Sequence, residues 1–73
     1  MSINFGEYFE KINNMIDQQD PVDNIVLVLE DVEKYYDQCD DGEKAEIDRL
    51  RYVVGTLLYP GDEVNAASWA NER

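Results

Sequence analysis

The chain has 73 residues, a length that forms one domain and buries only roughly 60% of its unfolded surface. A core of this size excludes a large enclosed substrate pocket. The net charge of −11 and the isoelectric point of about 4.1 repel nucleic acid and anionic membranes, so we expect neither as a direct partner. Hydrophobic residues make up 44% of the chain with a clear apolar period, which predicts a folded core.

Cysteine and histidine usage limits the possible chemistry. Cys39 is the single cysteine, so no internal disulfide forms. The sequence shows neither a basic leader with an apolar core nor a long apolar span, and we expect a cytoplasmic protein. Without histidine, and without a base near Cys39 to activate its thiol, we expect no catalytic residues, no cofactor and no enzymatic activity.

The first element is an amphipathic helix. Between residues 5 and 16, apolar side chains recur at spacings of three and four, with polar side chains between them. Asn4, followed three residues later by Glu7, is the expected N-cap. We expect the helix to end near residue 18 or 19, because Asp20 and Pro21 have the order of an N-cap followed by proline at the first helical position.

A second helix is predicted from Pro21 to about Cys39. Residues 25–29 also fit a buried strand, but the apolar spacing continues through the charged half and no second β-type run can pair with them. The apolar band is too broad for one small helix to cover, so either two helices flank it or a second copy of the chain contacts it. The heptad-like seam consists of Val22, Ile25, Leu29, Val32, Tyr36 and Cys39, and Val26, Leu27 and Val28 widen it.

An Asp-Asp-Gly turn at 40–42 precedes a third predicted helix, which extends to about Tyr59. Gly55 lies inside this helix and permits a close helix contact. A Pro-Gly pair at 60–61 predicts a type II turn, followed by a mostly polar tail. The prediction is an all-α fold, a compact three-helix bundle over residues 1–59 with a C-terminal tail or short fourth helix over residues 60–73.

One stretch has the spacing of a calcium loop. Asp37, Cys39, Asp41, Gly42 and Asp48 fall at positions one, three, five, six and twelve, so the stretch resembles an EF-hand. Cysteine is a poor calcium ligand, however, and aspartate replaces the bidentate glutamate at position twelve. Turn and cap chemistry is the favoured interpretation, and we predict no metal site.

Acidic residues concentrate between Glu30 and Asp48, where nine of nineteen residues are acidic and two are lysine, so this segment has seven of the eleven net negative charges. On a continuous helix, Glu30, Glu33, Asp37 and Asp40 form a stripe with a carboxylate about every 5 Å. A DNA strand has one phosphate per roughly 3.4 Å, a comparable density. Like charges so placed destabilise a helix, which favours a compensating function, although an acidic face that only maintains solubility is the alternative.

This acidic run in a short helical chain resembles, in size and composition, the phage-encoded DNA-mimic proteins that block restriction or CRISPR enzymes. The resemblance involves no shared motif. It implies an inhibitor that fills the nucleic-acid-binding groove of a basic protein or nuclease, with carboxylates in place of phosphates. Tyr35 borders the stripe and is an expected aromatic anchor. The predicted partner-binding residues are Glu30, Glu33, Tyr35, Asp37, Asp40, Asp41, Glu43 and Glu46.

A second resemblance is to the colicin nuclease immunity proteins, which are small, acidic and helical and have a Tyr-Tyr-Pro-Ser-Asp turn at the nuclease contact. The stretch 58–62 shares Tyr59, Pro60 and Asp62 with that motif. The predicted third helix is longer than in that family, and the segment after the turn is shorter. This resemblance also implies a basic target that handles nucleic acid.

The competing class is a homodimeric helical adaptor or regulatory protein that binds its partner through the apolar face of the second helix. An adaptor is expected to lose binding when Leu27, Val28 or Tyr35 is changed. A DNA mimic is instead expected to lose binding, with its fold intact, when Glu33, Asp37 and Asp40 are neutralised.

Overall fold

The computed structural model describes residues 3–72, so the outer ends of the predicted ranges 1–59 and 60–73 lie outside it. This part of the chain contains no β-strand, and the all-α prediction is confirmed. The tail forms the optional fourth helix. The Cα radius of gyration of 11.9 Å is close to the roughly 11 Å of a compact domain of this length. The helices are α1 (Phe5–Asp17), α2 (Val22–Glu33), α3 (Asp41–Leu58) and α4 (Glu63–Asn71), with a 3₁₀ turn at Tyr36–Gln38.

Both ends of α1 are closed by specific hydrogen bonds. The side-chain oxygen of Asn4 accepts a 3.2 Å hydrogen bond from the backbone N–H of Glu7, which confirms the predicted N-cap. At the other end, the N–H groups of Gln19 and Asp20 donate to carbonyls of the last helical turn, at 3.1 and 3.0 Å. This is a Schellman motif, and Gln19 has the left-handed φ of 57° that the motif requires.

The predicted N-cap of α2 is wrong by one residue. Pro21, not Asp20, is the N-cap, with a ψ of 131° and no side-chain capping bond. Its carbonyl accepts hydrogen bonds from the N–H groups of Asn24 and Ile25, at 3.0 and 3.3 Å. Asp20 is instead part of the Schellman end of α1. The resulting connection is short, and α2 turns back to pack along α1.

The prediction of one continuous helix over residues 21–39 is wrong, because α2 ends at Glu33 and the chain then tightens into the 3₁₀ turn. The N–H groups of Gln38 and Cys39 donate to carbonyls three residues earlier, at 2.9 and 3.1 Å. Asp40 has an extended backbone (φ −80°, ψ 177°) as the cap of α3, so α2 and α3 cannot form one continuous helix. The turn also buries Cys39 in the core.

A capping box begins α3. Asp40 Oδ1 accepts from the backbone N–H of Glu43 at 2.8 Å, and Glu43 Oε1 accepts from the N–H of Asp40 at 3.0 Å. The stretch from Asp41 to Asp48 is therefore helical, not the loop that an EF-hand requires. Within residues 3–72, no three histidine, cysteine or carboxylate side chains are grouped closely enough to hold a metal ion.

The predicted close helix contact at Gly55 is confirmed between α3 and α4. A Cβ atom placed on Gly55 lies only 2.7 Å from the backbone oxygen of Ala66. The type II turn before α4 also forms, with Gly61 at φ 78° and a 3.1 Å bond from the N–H of Asp62 to the carbonyl of Tyr59. The buried apolar side chains are Phe5, Ile12, Ile25, Leu29, Val32, Cys39, Ile47, Leu50, Val54 and Ala66. None of the helices described here combines the length and the apolar character needed to cross a membrane.

Candidate protein-binding site

The predicted stripe of four carboxylates on one helix does not form, because its members lie on three different elements. Glu30 and Glu33 lie in the last turn of α2, Asp37 lies in the 3₁₀ turn and Asp40 caps α3. The prediction of a regular spacing of about 5 Å between these carboxylates is therefore wrong. The acids still follow one another through the connection between the two helices. We call residues 30–48 the α2–α3 acidic segment.

Glu33 is withdrawn from the surface of this segment by an ion pair. Its Oε1 and Oε2 atoms accept hydrogen bonds from Nη1 of Arg51 at 2.8 and 3.1 Å. The two side chains are only 9% and 8% exposed. A partner cannot reach Glu33 while this pair is intact, so the structure removes it from the predicted contact set.

The other nitrogen atoms of the Arg51 guanidinium cap the C-terminal end of α4 by hydrogen bonds to its carbonyl groups. Its Nε donates to the carbonyl of Ala70 at 2.8 Å, and its Nη2 donates to those of Trp69 and Glu72 at 3.1 and 3.0 Å. The guanidinium carbon also lies 4.3 Å from the centre of the Trp69 ring. The last carbonyls of a helix lack intrahelical donors, and Arg51 supplies them here.

Three further members of the predicted contact set have partners within the chain but remain near the surface. In the capping box, the side chain of Asp40 accepts a hydrogen bond from the backbone N–H of Glu43, and the side chain of Glu43 accepts one from the backbone N–H of Asp40. Glu46 Oε1 accepts a 2.9 Å hydrogen bond from Nε of Arg49, one turn further along α3. These carboxylates can add to the local negative potential, but their positions are fixed by internal bonds.

The remaining acids of the predicted set are Glu30, Asp37 and Asp41. All three are exposed, and their side chains make no hydrogen bond or ion pair within residues 3–72. Tyr35, the predicted aromatic anchor, is half-buried and packs against the core. The structure thus leaves three carboxylates of the set available for an external contact, with Tyr35 between two of them in the chain.

An open groove of about 680 Å³ lies between α1 and α2, and we call it the α1–α2 groove. Leu27 is 64% exposed in it. The hydroxyl of Tyr8 on α1 donates a 2.7 Å hydrogen bond to Oδ2 of Asp31 on α2. The other carboxylate oxygen of Asp31, Oδ1, lies 3.7 Å from Nζ of Lys34. The lining residues of the groove are Ile3, Asn4, Glu7, Tyr8, Lys11, Leu27, Val28, Glu30, Asp31, Lys34 and Tyr35.

The side chains of Tyr8 and Cys39 have a shifted pKa. The hydrogen bond to Asp31, followed by partial burial and the charge of that carboxylate, raises the pKa of the Tyr8 phenol above its usual 10.0. Burial raises the pKa of the Cys39 thiol, and the charges of Glu43 and Asp40 add to this shift. Cys39 is therefore protonated at neutral pH, which is the opposite of what a nucleophilic cysteine needs.

Two of these features were not predicted from the sequence. Arg51 is the buried partner of Glu33, and a signal was present, because Arg51 lies on the apolar stripe of α3 between Ile47 and Val54. A lone arginine among core positions indicates a buried acidic partner. The groove was also missed, since its walls combine residues more than 20 positions apart.

These features define a small, acidic protein that has four α-helices within residues 3–72 and a focused carboxylate segment next to a partly apolar groove. Comparisons of the chain with protein-family models, curated protein sequences and solved structures find no match.

Proposed function

We propose that this protein is a cytoplasmic, non-catalytic inhibitor that binds a basic nucleic-acid-binding protein or nuclease, with exposed carboxylates in place of DNA phosphates. One observation carries the proposal. Glu30, Asp37 and Asp41 are exposed and have no side-chain partner within residues 3–72, and they lie in the segment that has seven of the eleven net charges. An anti-defence role against a restriction or CRISPR enzyme is the specific form that we favour.

The physical basis is electrostatic complementarity. Exposed charges of one sign accelerate encounter with a surface of the opposite sign and select against partners with the same sign. A protein site built for DNA phosphates is such a basic surface. Because the contacts are exposed and charged, binding should weaken steeply as the salt concentration rises.

A second candidate function is a homodimeric or adaptor protein that binds through the apolar face of α2. The exposure of Leu27 favours it, since a leucine that is 64% exposed beside a groove suits a protein contact. In this alternative, the carboxylates serve mainly to keep the protein soluble. The two functions depend on different side chains and can be separated by mutation.

The test uses two triple variants that each remove three negative charges. Each contains one Glu→Gln and two Asp→Asn changes, and each includes one acid in a first helical turn and one in a last turn. Neither touches Glu33, so the buried ion pair is retained. The acidic-segment variant has Glu30→Gln, Asp37→Asn and Asp41→Asn, and the control variant has Glu10→Gln, Asp17→Asn and Asp23→Asn.

The wild-type chain and both variants are immobilised, exposed to a cell lysate and eluted with duplex DNA. Mass spectrometry then identifies the eluted proteins. We expect a basic nucleic-acid-binding protein that DNA releases from the wild type and the control variant, and that the acidic-segment variant fails to capture. A partner that resists DNA and is captured equally by all three chains would contradict the proposal and favour the adaptor function.

A further inference from the structure

We propose that the α1–α2 groove accepts a short basic amphipathic helix of the inhibited protein, with an apolar side chain against Leu27 and Val28 and lysine or arginine side chains beside Glu7 and Glu30. This inference rests on the proposed function and adds a second contact to it. The carboxylates alone would recognise any basic surface, whereas the groove would select a particular segment.

The shape of the groove suits a helix. The lining residues fall within positions 3–11, at the N-terminal end of α1, and 27–35, at the C-terminal end of α2, a length of roughly 12 Å on each side at the helical rise. The bond between Tyr8 and Asp31 joins the middle of these two stretches. Two helices that pack side by side leave a groove that a third helix can fill at the usual interaxial distance of roughly 8–10 Å.

The charges around the groove favour a basic occupant. Asp31 is engaged by Tyr8 and lies 3.7 Å from Lys34, so those two opposite charges offset each other. The other charged lining residues are two acids, Glu7 and Glu30, and one lysine, Lys11. The net charge of these three side chains is negative, as is that of the whole protein, which is −11. An acidic or neutral apolar segment would lack this complementarity.

The groove is also continuous with the α2–α3 acidic segment. Glu30, Asp31, Lys34 and Tyr35 belong to both. A partner that contacts Asp37 and Asp41 is therefore next to the groove, and a basic helix adjoining its nucleic-acid site can enter it. The exposure of Leu27 has the same explanation, since a leucine that lines this groove becomes buried when the groove is filled.

The probe is a short amphipathic helical peptide of leucine and lysine, added to the full chain and followed by NMR of the backbone amides and methyl groups. Two control peptides have leucine with glutamate and serine with lysine. We expect the leucine–lysine peptide to shift the signals of Leu27, Val28 and Tyr35. The leucine–glutamate peptide should shift none, and the serine–lysine peptide should bind at least about tenfold more weakly.

Leu27→Ser tests the apolar contact. It should lower the affinity for the leucine–lysine peptide about tenfold, because the burial of an exposed leucine on binding contributes free energy of that size. Val64→Ser is the matched control, since Val64 is 79% exposed on α4 and does not line the groove. It should change the affinity less than about twofold. Circular dichroism checks that both variants remain folded.

Several results would overturn the inference. They are no binding of the leucine–lysine peptide, equal binding of the serine–lysine peptide, or an affinity unchanged by Leu27→Ser. Concentration-dependent shifts of the Leu27 signals without peptide would assign the groove to a second copy of the chain instead. The protein captured by the wild-type chain is also tested with the acidic-segment variant and with Leu27→Ser, and the two results show which proposal fails. If the acidic-segment variant loses capture and Leu27→Ser does not, the proposed function is retained and the groove proposal is rejected. If both variants still capture the protein, both proposals are rejected.

Discussion

Arg51 and Glu33 form a buried ion pair that joins three helices. Nη1 of Arg51 on α3 lies 2.8 Å from Oε1 of Glu33 at the end of α2, and the same guanidinium binds three carbonyls at the end of α4. Because both side chains are about nine-tenths buried, neither charge can turn to water if its partner is lost. The pair therefore fixes the end of α2, which lies within the acidic segment, against α3 and α4.

Replacing Glu33 should destabilise the fold strongly. Glu33→Leu leaves the Arg51 charge buried without its carboxylate, which should lower the free energy of unfolding by roughly 3–5 kcal/mol, a large part of the stability of a small domain. Urea denaturation followed by circular dichroism measures the change. Glu30→Gln is the control, since Glu30 is exposed, and should stay within about 0.5 kcal/mol of wild type. Similar values for the two variants would show that the ion pair does not support the fold.

Gly55 and Gly42 should respond oppositely to alanine. At Gly55 the new Cβ lies 2.7 Å from the carbonyl oxygen of Ala66, so α3 and α4 must separate, at a cost of about 1–3 kcal/mol that exceeds the gain in helix propensity. At Gly42 the nearest contact is 3.5 Å, and alanine should stabilise the helix by roughly 0.5 kcal/mol. Thermal unfolding of both variants checks this, and a stabilised Gly55→Ala would contradict the close contact.

Gln19 occupies a position where glycine is the better residue. Its φ of 57° is left-handed, a conformation that disfavours residues with a Cβ atom. We expect Gln19→Gly to raise the free energy of unfolding by about 0.5–1 kcal/mol, as measured by urea denaturation. Gln18→Gly is the control, because Gln18 has an ordinary φ of −81°, and it should lower that free energy. If both substitutions destabilise equally, the Schellman end of α1 is not formed in solution.

Tyr8 should make stability depend on alkaline pH. Its pKa is raised by the hydrogen bond to Asp31, so the neutral phenol is favoured in the folded state. The stabilisation is fully present below the ordinary pKa of 10.0 and is lost as the pH rises through the higher pKa of the folded state. The free energy of unfolding of the wild type should thus fall more steeply above pH 10 than that of Tyr8→Phe. Parallel pH profiles for the two proteins would indicate that the bond to Asp31 is absent.

Local patterns in the sequence predicted much of the fold. The cap at Asn4, the close contact at Gly55 and the type II turn at Gly61 each depend on a residue type within a few positions, and all three are confirmed. The predicted extent of α2 was wrong because the apolar period continues past Glu33, although the helix ends there and the chain is extended at Asp40, the cap of α3. Apolar periodicity shows which face of a segment is buried, but not where the helix ends.

Of the candidate site, only the concentration of acidic residues was predictable from the sequence. The sequence located the concentration of acids, but it could not show which of them fold inward, because that depends on the distant residue Arg51. The helix break also distributed the expected stripe over three elements. The groove between α1 and α2 depends on how two helices pack, and of its features only Leu27 and Val28 were anticipated, as a broad apolar band.

The most direct test of the proposed function is the affinity of the captured basic protein for the wild-type chain, the acidic-segment variant and the control variant, measured by titration calorimetry at two salt concentrations. Three exposed charge contacts are together worth roughly 1.4 kcal/mol, or about tenfold in affinity. We predict that the acidic-segment variant binds about tenfold more weakly than wild type, and that the control variant binds within about threefold of it. Equal weakening by both variants would show that net charge alone, and not the α2–α3 acidic segment, determines binding.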